Sequence, residues 1–204
     1  FNGSHPAYDH GLYISGSEKL KTIYDFSGFP EELYKINYAP SGNLELTKQI
    51  QSLLADYNPK IDKKRGIDHG AWSALLHLFP LADIPTVLLS LNLDFKLSQH
   101  YDVGKLLKPL REQGVLIIGS GNIVHSFFSF HEDLNAPSPD WAIDFDQKIK
   151  NALMNKNHDE IIKYRRLFGR SAKLSVPTDE HYLPLLYISA LQNSGMSMRS
   201  FIYE

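Results

Sequence analysis

Four histidines of this chain stand in short phrases that read as loops at the ends of secondary structure. The phrases are Asn2-Gly3-Ser4-His5-Pro6, Asp68-His69-Gly70, Gly119-Ser120-Gly121-Asn122-Ile123-Val124-His125 and Glu180-His181-Tyr182-Leu183-Pro184. Imidazole is the commonest metal ligand and the only side chain whose unperturbed pKa lies near neutrality. Several such rings at loop junctions, in a chain without cysteine, point to a metal or acid–base centre rather than a structural zinc knot. The other five histidines are weaker candidates. His77 lies on an apolar helical face and is expected to be packed, while His10, His100, His131 and His158 fall in polar stretches and are expected in solvent.

Each phrase has a bland reading beside the chemical one. Val115-Leu116-Ile117-Ile118 reads as a buried strand that delivers Gly119-Ser120-Gly121-Asn122 to its carboxyl end, where open parallel sheets bind ligands. Asn122 can cap a turn there and turn His125 inward; the alternative is a histidine merely packed under that turn. His181 is placed in the first turn of a helix opened by Pro177-Thr178-Asp179-Glu180. There Asp179 or Glu180 can orient an imidazole, or simply cap the helix beside a surface histidine. His69, between Asp68 and Gly70, is either held by its neighbours or plain turn chemistry. His5 alone carries almost no weight.

The elements needed to position these rings are legible in part. Residues 11–17 suit a strand, and an aromatic loop follows over Tyr24-Asp25-Phe26-Ser27-Gly28-Phe29-Pro30. Leu44, Ile50, Leu53 and Leu54 recur at helical spacing after Asn43, a candidate N-cap. A short apolar helix is expected over 72–79. Pro85 to Leu91 is a continuous apolar run of strand length, a helix follows through Val103, Leu106, Leu107 and Leu110, and the 115–118 strand completes a strand–helix–strand unit. Further helices are expected over 140–154, 157–167 and 178–192, and a last strand over 197–203. The reading is α/β: a single domain over residues 1–204 with a central, mostly parallel sheet flanked by helices.

Bulk properties exclude several classes. Of 204 residues, 43% are hydrophobic and 22% charged, with a formal net charge of −2, so no global field draws the protein to nucleic acid or anionic lipid. Lys63-Lys64-Arg65 is expected to be a solvated turn. No apolar run approaches the ~20 residues of a membrane helix. Residues 1–20 lack a signal-peptide pattern, and the want of cysteine suits a cytoplasmic protein. Dinucleotide, P-loop, zincin and nucleophile-elbow motifs are absent from the sequence.

Taken in order, Tyr24–Pro30, Ile67-Asp68-His69-Gly70-Ala71-Trp72, Ser120–His125 and Glu180-His181-Tyr182-Leu183-Pro184-Leu185-Leu186 resemble one family across essentially the whole chain. It is the DODA-type (4,5-DOPA dioxygenase extradiol-like) class III extradiol ring-cleavage dioxygenases of the protocatechuate 4,5-dioxygenase catalytic-subunit superfamily. The resemblance implies that His5 and His181 are metal ligands and that His125 is the acid–base residue, which in zinc-containing members also reaches the metal. His69 matches an active-site histidine that contacts substrate. Fe(II) is implied for activity and Zn(II) as another bound metal, with a small aromatic diol and O2 as partners and neither nucleic acid nor membrane.

Two departures stand against the pattern. Pro6 replaces the usual Trp after His5, and the family's upstream Gly-His-Gly-Ser-Pro phrase is missing, so an N-terminal, histidine-bearing strand is expected to precede Phe1 in the full protein. The tail from Ser194 to Glu204 is also shorter than the family's. A non-catalytic metal- or ligand-binding member of the superfamily is the alternative, and a zinc hydrolase with Glu180 as base a third. The identity of the diol and the oligomeric state are not encoded in these motifs.

Overall fold

In the computed structural model residues 10–126, 133 and 135–193 are described, and they fall into two compact units, Phe1–Lys96 and Leu97–Glu204. The first begins with a short strand, β1 (Tyr13–Ser15), followed by helix α1 (Leu44–Leu53) and strand β2 (Lys60–Asp62). β2 lies parallel to β1, with Tyr13 opposite Lys60 and Ser15 opposite Asp62. Parallel neighbours need a long crossover, and α1 supplies it. Asn43 caps α1 as expected, its side-chain oxygen accepting the Leu46 N–H at 2.9 Å. Thr47 ties the helix to the sheet, its hydroxyl donating to the Ser15 carbonyl at 2.8 Å.

The chain is α/β with a small parallel sheet, but the β–α–β unit sits over residues 13–62 rather than 85–118. Residues 88–90 instead run antiparallel beside β1, with Leu89 opposite Ile14. The Ser15 N–H bonds the Leu88 carbonyl and the Ser90 N–H bonds the Tyr13 carbonyl, both at 2.9 Å. Beyond that bridge two buried hydroxyls take over from backbone carbonyls: Ser90 Oγ accepts the Tyr13 N–H, and Ser15 Oγ accepts the Leu88 N–H. The ladder therefore stops after one bridge. Farther along, segments 19–23 and 67 lie side by side, Thr22 bridging Ile67 in parallel. Leu20, Tyr38, Ile67 and Trp72 form the core there, covered by Phe26, Ile36, Leu75 and Leu88. Helix α2 (His69–Leu78) leaves this core, and His77 on it is exposed rather than packed.

The second unit is helical: α3 (Leu97–Leu106), α4 (Lys108–Glu112), α5 (Asp140–Met154), α6 (His158–Ile162), α7 (Tyr164–Ser175) and α8 (Leu183–Ala190). The periodicity read over 140–154 is that of α5, which buries Phe145, Ile149 and Leu153. Residues 115–118 form no strand among the described residues, and Leu116 and Ile118 are 67% and 42% exposed. An apolar run of strand length has no strand identity without a paired neighbour, which is why that expectation failed. α8 starts at Leu183, five residues later than expected, so His181 lies in the turn that precedes it. His100 is fully buried, not solvated, and its Nδ1 shares a hydrogen bond with the Tyr187 hydroxyl at 2.9 Å. His158 is half-buried between Tyr101 and Gln192. Among the described residues no helix is long and apolar enough to cross a membrane. The expected strand over 197–203, together with His131, lies outside the described residues.

Candidate functional site

The glycine phrase lies directly on the turn that carries His181. The Asn122 N–H donates to the His181 carbonyl at 2.9 Å. A Cβ at Gly121 would stand 2.2 Å from that same carbonyl oxygen, so only glycine lets the two backbones approach this closely. Three residues on, the His125 N–H donates to the Ser175 carbonyl at 2.8 Å, at the end of α7. Held from both sides, His125 and His181 stack with ring centroids 3.5 Å apart and planes 16° apart. Residues 56 positions apart in sequence thus present two imidazoles side by side.

Asp179 does not orient either ring. Its Oδ1 accepts the Tyr164 hydroxyl and the Arg165 guanidinium, through Nη2 at 2.7 Å and Nε at 3.1 Å. Burial, reinforced by the Asp179 carboxylate, pushes the Tyr164 phenol far above its usual range, so it stays a donor. The Asp179 backbone carbonyl also accepts the N–H groups of Tyr182 and Leu183. Asp179 therefore fixes the turn carrying His181 to α7. That role was not foreseen because the partners lie 14 and 15 residues away in sequence.

His69 belongs to the first unit. The Ile23 N–H bonds the Ile67 carbonyl and the Ile67 N–H bonds the Lys21 carbonyl, each at 2.8 Å. Parallel chains in register bring residues just beyond them to the same level, and Asp25 meets His69 there. Asp25 Oδ1 accepts both the His69 ring Nδ1–H at 2.8 Å and the His69 backbone N–H at 3.0 Å. The second bond satisfies a first-turn N–H of α2, which Asp68 at the N-cap leaves without a side-chain cap. The Asp25 hydrogen bond raises the His69 pKa against the opposing effect of burial, and the charges of Asp25 and Asp68 add to the rise. For Asp25, burial is outweighed by the two His69 hydrogen bonds, and its carboxyl titrates below the usual range. The Phe26 and His69 rings stand nearly perpendicular with centroids 5.6 Å apart, and the Trp72 ring centroid lies 6.0 Å from that of Phe26. Arg65, expected in a solvated turn, is only 7% exposed and pairs with the fully buried Asp68 at 3.0 Å.

Two imidazoles in contact are the donor type that iron(II) and zinc(II) accept. Among the described residues no group of three or more histidines and carboxylates gathers around a common point, and His5 lies outside those residues. The donor set thus fits two of the three expected ligands. Imidazole coordinates through a lone pair in the ring plane, so rings this nearly parallel must splay before both reach one ion.

Residues 5–180 match the family described as the catalytic LigB subunit of aromatic ring-opening dioxygenase. The chain is 42% identical over 167 residues to a 4,5-DOPA dioxygenase extradiol of Beta vulgaris, covering 80% of this chain and 62% of that protein. It is 36% identical over 187 residues to the 4,5-DOPA dioxygenase extradiol of Escherichia coli K12, covering 89% and 68%. A Mirabilis jalapa protein of the same name is 39% identical over 170 residues, covering 82% and 63%. The chain therefore spans a little under two thirds of two of these relatives. Among solved structures, the uncharacterized protein JW3007 from Escherichia coli K12 superposes with a TM-score of 0.75 at 30% identity, covering 89% of this chain and 70% of the other. The chain belongs to the LigB family of catalytic subunits of aromatic ring-opening dioxygenases, and within it resembles the 4,5-DOPA dioxygenase extradiol branch.

Proposed function

We propose that the protein is a metal-dependent extradiol dioxygenase that opens the ring of a catechol-type, DOPA-like substrate with O2. The observation that carries this reading is the His125–His181 ring pair, assembled by a backbone approach that only Gly121 permits, in a chain of this family. His5 and His181 would hold the metal, with Fe(II) the ion for turnover; Zn(II) also suits these nitrogens, and in a zinc-loaded form His125 would reach the metal as well. When bound, the ion supplies Lewis acidity to the two adjacent diol oxygens and a redox path to dioxygen.

The chain's own residues do the proton work and the positioning. The His125 ring, in its neutral form, accepts a phenolic proton of the diol at a ring nitrogen and later returns it to product. Hydrogen bonds from the Asn122 and His125 backbone N–H groups hold the chain that leads to that ring, so little backbone rearrangement is needed in each turnover. His69 donates a hydrogen bond to substrate from the nitrogen not used by Asp25. The aromatic segment around Phe26 suits a flat ring.

Anaerobic loading with Fe(II), followed by DOPA or catechol and then air, tests the reading. Oxygen consumption with a visibly absorbing ring-opened product is expected. A protein that binds iron and diol yet consumes no oxygen would instead be a non-catalytic binding member of the family. His125→Ala should abolish turnover and leave diol binding detectable, and full activity would remove His125 from the proton transfer. His181→Ala should lower metal stoichiometry, and an unchanged stoichiometry would remove it from the ligand set.

A further inference from the structure

We propose that Asp25 is a positioning residue that locks His69 as a hydrogen-bond donor, so that its outward nitrogen receives an anionic oxygen carried by an aromatic substrate. The inference deepens the ring-opening reading above and rests on it for the nature of the substrate. It names a charge preference, for diols bearing a carboxylate or an ionised phenol, and the residue that sets it.

The geometry is doubly constrained. One carboxylate oxygen, Asp25 Oδ1, takes both the ring Nδ1–H and the backbone N–H of His69. A carboxylate only accepts, so the proton at Nδ1 is fixed, and two bonds to one oxygen also fix the ring's rotation. Nε2 makes no hydrogen bond among the described residues, and the side chain is 39% exposed. With Nδ1 always protonated, an anion at Nε2 finds a donor there whenever the ring carries its second proton.

The local charge balance favours that second proton. Asp68 is matched by Arg65 at 3.0 Å, which leaves the Asp25 charge to be matched by an imidazolium. Two buried carboxylate oxygens, Asp25 Oδ2 and Asp68 Oδ1, have no hydrogen-bond partner among the described residues, so their charge is not neutralised through those atoms. A buried carboxylate without such neutralisation strongly prefers a cation beside it. The rise in the His69 pKa agrees with this. Around the His69 ring lie aromatic rings: Phe26 nearly perpendicular to it, with Phe29 and Tyr34 packed on Phe26 at 5.4 and 5.0 Å. Phe29 is exposed. A flat ring with an anionic substituent matches such a surface, whereas a neutral diol gains only the stacking.

The test uses the full chain with Asp25→Asn, Asp25→Glu and His69→Gln variants. Nitrogen NMR of the histidine rings reads the His69 protonation state, with His69→Gln assigning the signal. Titrations compare 3,4-dihydroxybenzoate, which is anionic, with catechol, which is neutral. In the wild type the Nδ1 proton persists and His69 titrates above the ordinary imidazole range. Asp25→Asn brings that titration back down and weakens the anionic diol at least tenfold, as expected for losing a hydrogen bond between charged groups. Catechol binding changes less than about twofold. Asp25→Glu restores both, and His69→Gln, which leaves the backbone bond to Asp25 available, loses the same discrimination. Unchanged His69 signals in Asp25→Asn, or equal weakening of both diols, overturns the proposal. If the wild type binds neither diol, the substrate class falls together with the ring-opening reading, while the ring signals still decide whether Asp25 sets the state of His69.

Discussion

Replacing Gly121 by Ala tests the assembly of the histidine pair through its backbone alone. The added Cβ would sit 2.2 Å from the His181 carbonyl oxygen and 3.2 Å from Pro184 Cγ. The oxygen belongs to a backbone already held by Asp179, so the 121–122 segment has to move instead. Movement lengthens the Asn122–His181 hydrogen bond, worth about 1 kcal/mol, and the overpacking itself costs about 1–3 kcal/mol. Against this, the alanine chain loses less entropy on folding, a gain of about 0.4–1 kcal/mol. The net expectation is a loss of about 2 kcal/mol, a factor of about 30 in the folding equilibrium. Urea unfolding measures it directly. Gly114→Ala is the control, since a Cβ there meets nothing within 4 Å but the residue sits at φ +81°. It should cost about 1–2 kcal/mol from backbone strain and leave metal stoichiometry intact, whereas Gly121→Ala should lower metal stoichiometry as well as stability. A Gly121→Ala protein of wild-type stability and wild-type metal content would show that the close approach does not hold His125 against His181.

Other parts of the fold make equally definite predictions. Burial pushes the His100 pKa down to about 4, while an unfolded histidine titrates near 6.5. Between those values the unfolded chain binds the extra proton, so stability falls as pH drops from 6.5 towards 4 and levels off below. The loss attributable to this group is about 3 kcal/mol. Urea midpoints across that range should show it, and a His100→Gln variant with the same slope would refute the assignment. Tyr164→Phe removes one of the donors to Asp179 and leaves Arg165 in place. It should cost about 1–2 kcal/mol, read by thermal unfolding, and a neutral effect would mean Arg165 alone secures the turn. Asp25→Ala uncaps α2 and frees the His69 ring, costing about 1 kcal/mol at pH 5. Because the Asp25 pKa is lowered and the His69 pKa raised, the pair's contribution is complete between the two unfolded values, near 4 and 6.5. It is lost as pH falls through the folded Asp25 value, where variant and wild type should converge. As pH rises through the folded His69 value only the charge-dependent part is lost, and the hydrogen bond from the His69 backbone N–H keeps the wild type ahead.

Local signals in the sequence placed what local physics controls. Asn43 announced a helix start because its cap partner is three residues away, and the 3.6-residue spacing over 140–154 named the buried face of α5 because a helix orders its faces by itself. The motif phrases singled out His69, His125 and His181, and the family followed from their order. Long-range pairing decided the rest. Residues 88–90 lie antiparallel to β1 because Ser15 and Ser90 hydroxyls close the ladder from 73 and 77 residues away, and 115–118 is left without a strand partner among the described residues. His100 looked solvated in a polar stretch, yet α8 buries it through Tyr187, 87 residues distant. Asp25 was read as part of an aromatic loop and became the partner of His69 only once segments 19–23 and 67 lay in register. Residue types fix which chemistry is available, and helical periodicity fixes which side faces inward. Which groups meet depends on contacts between distant segments, and no spacing along the chain encodes those.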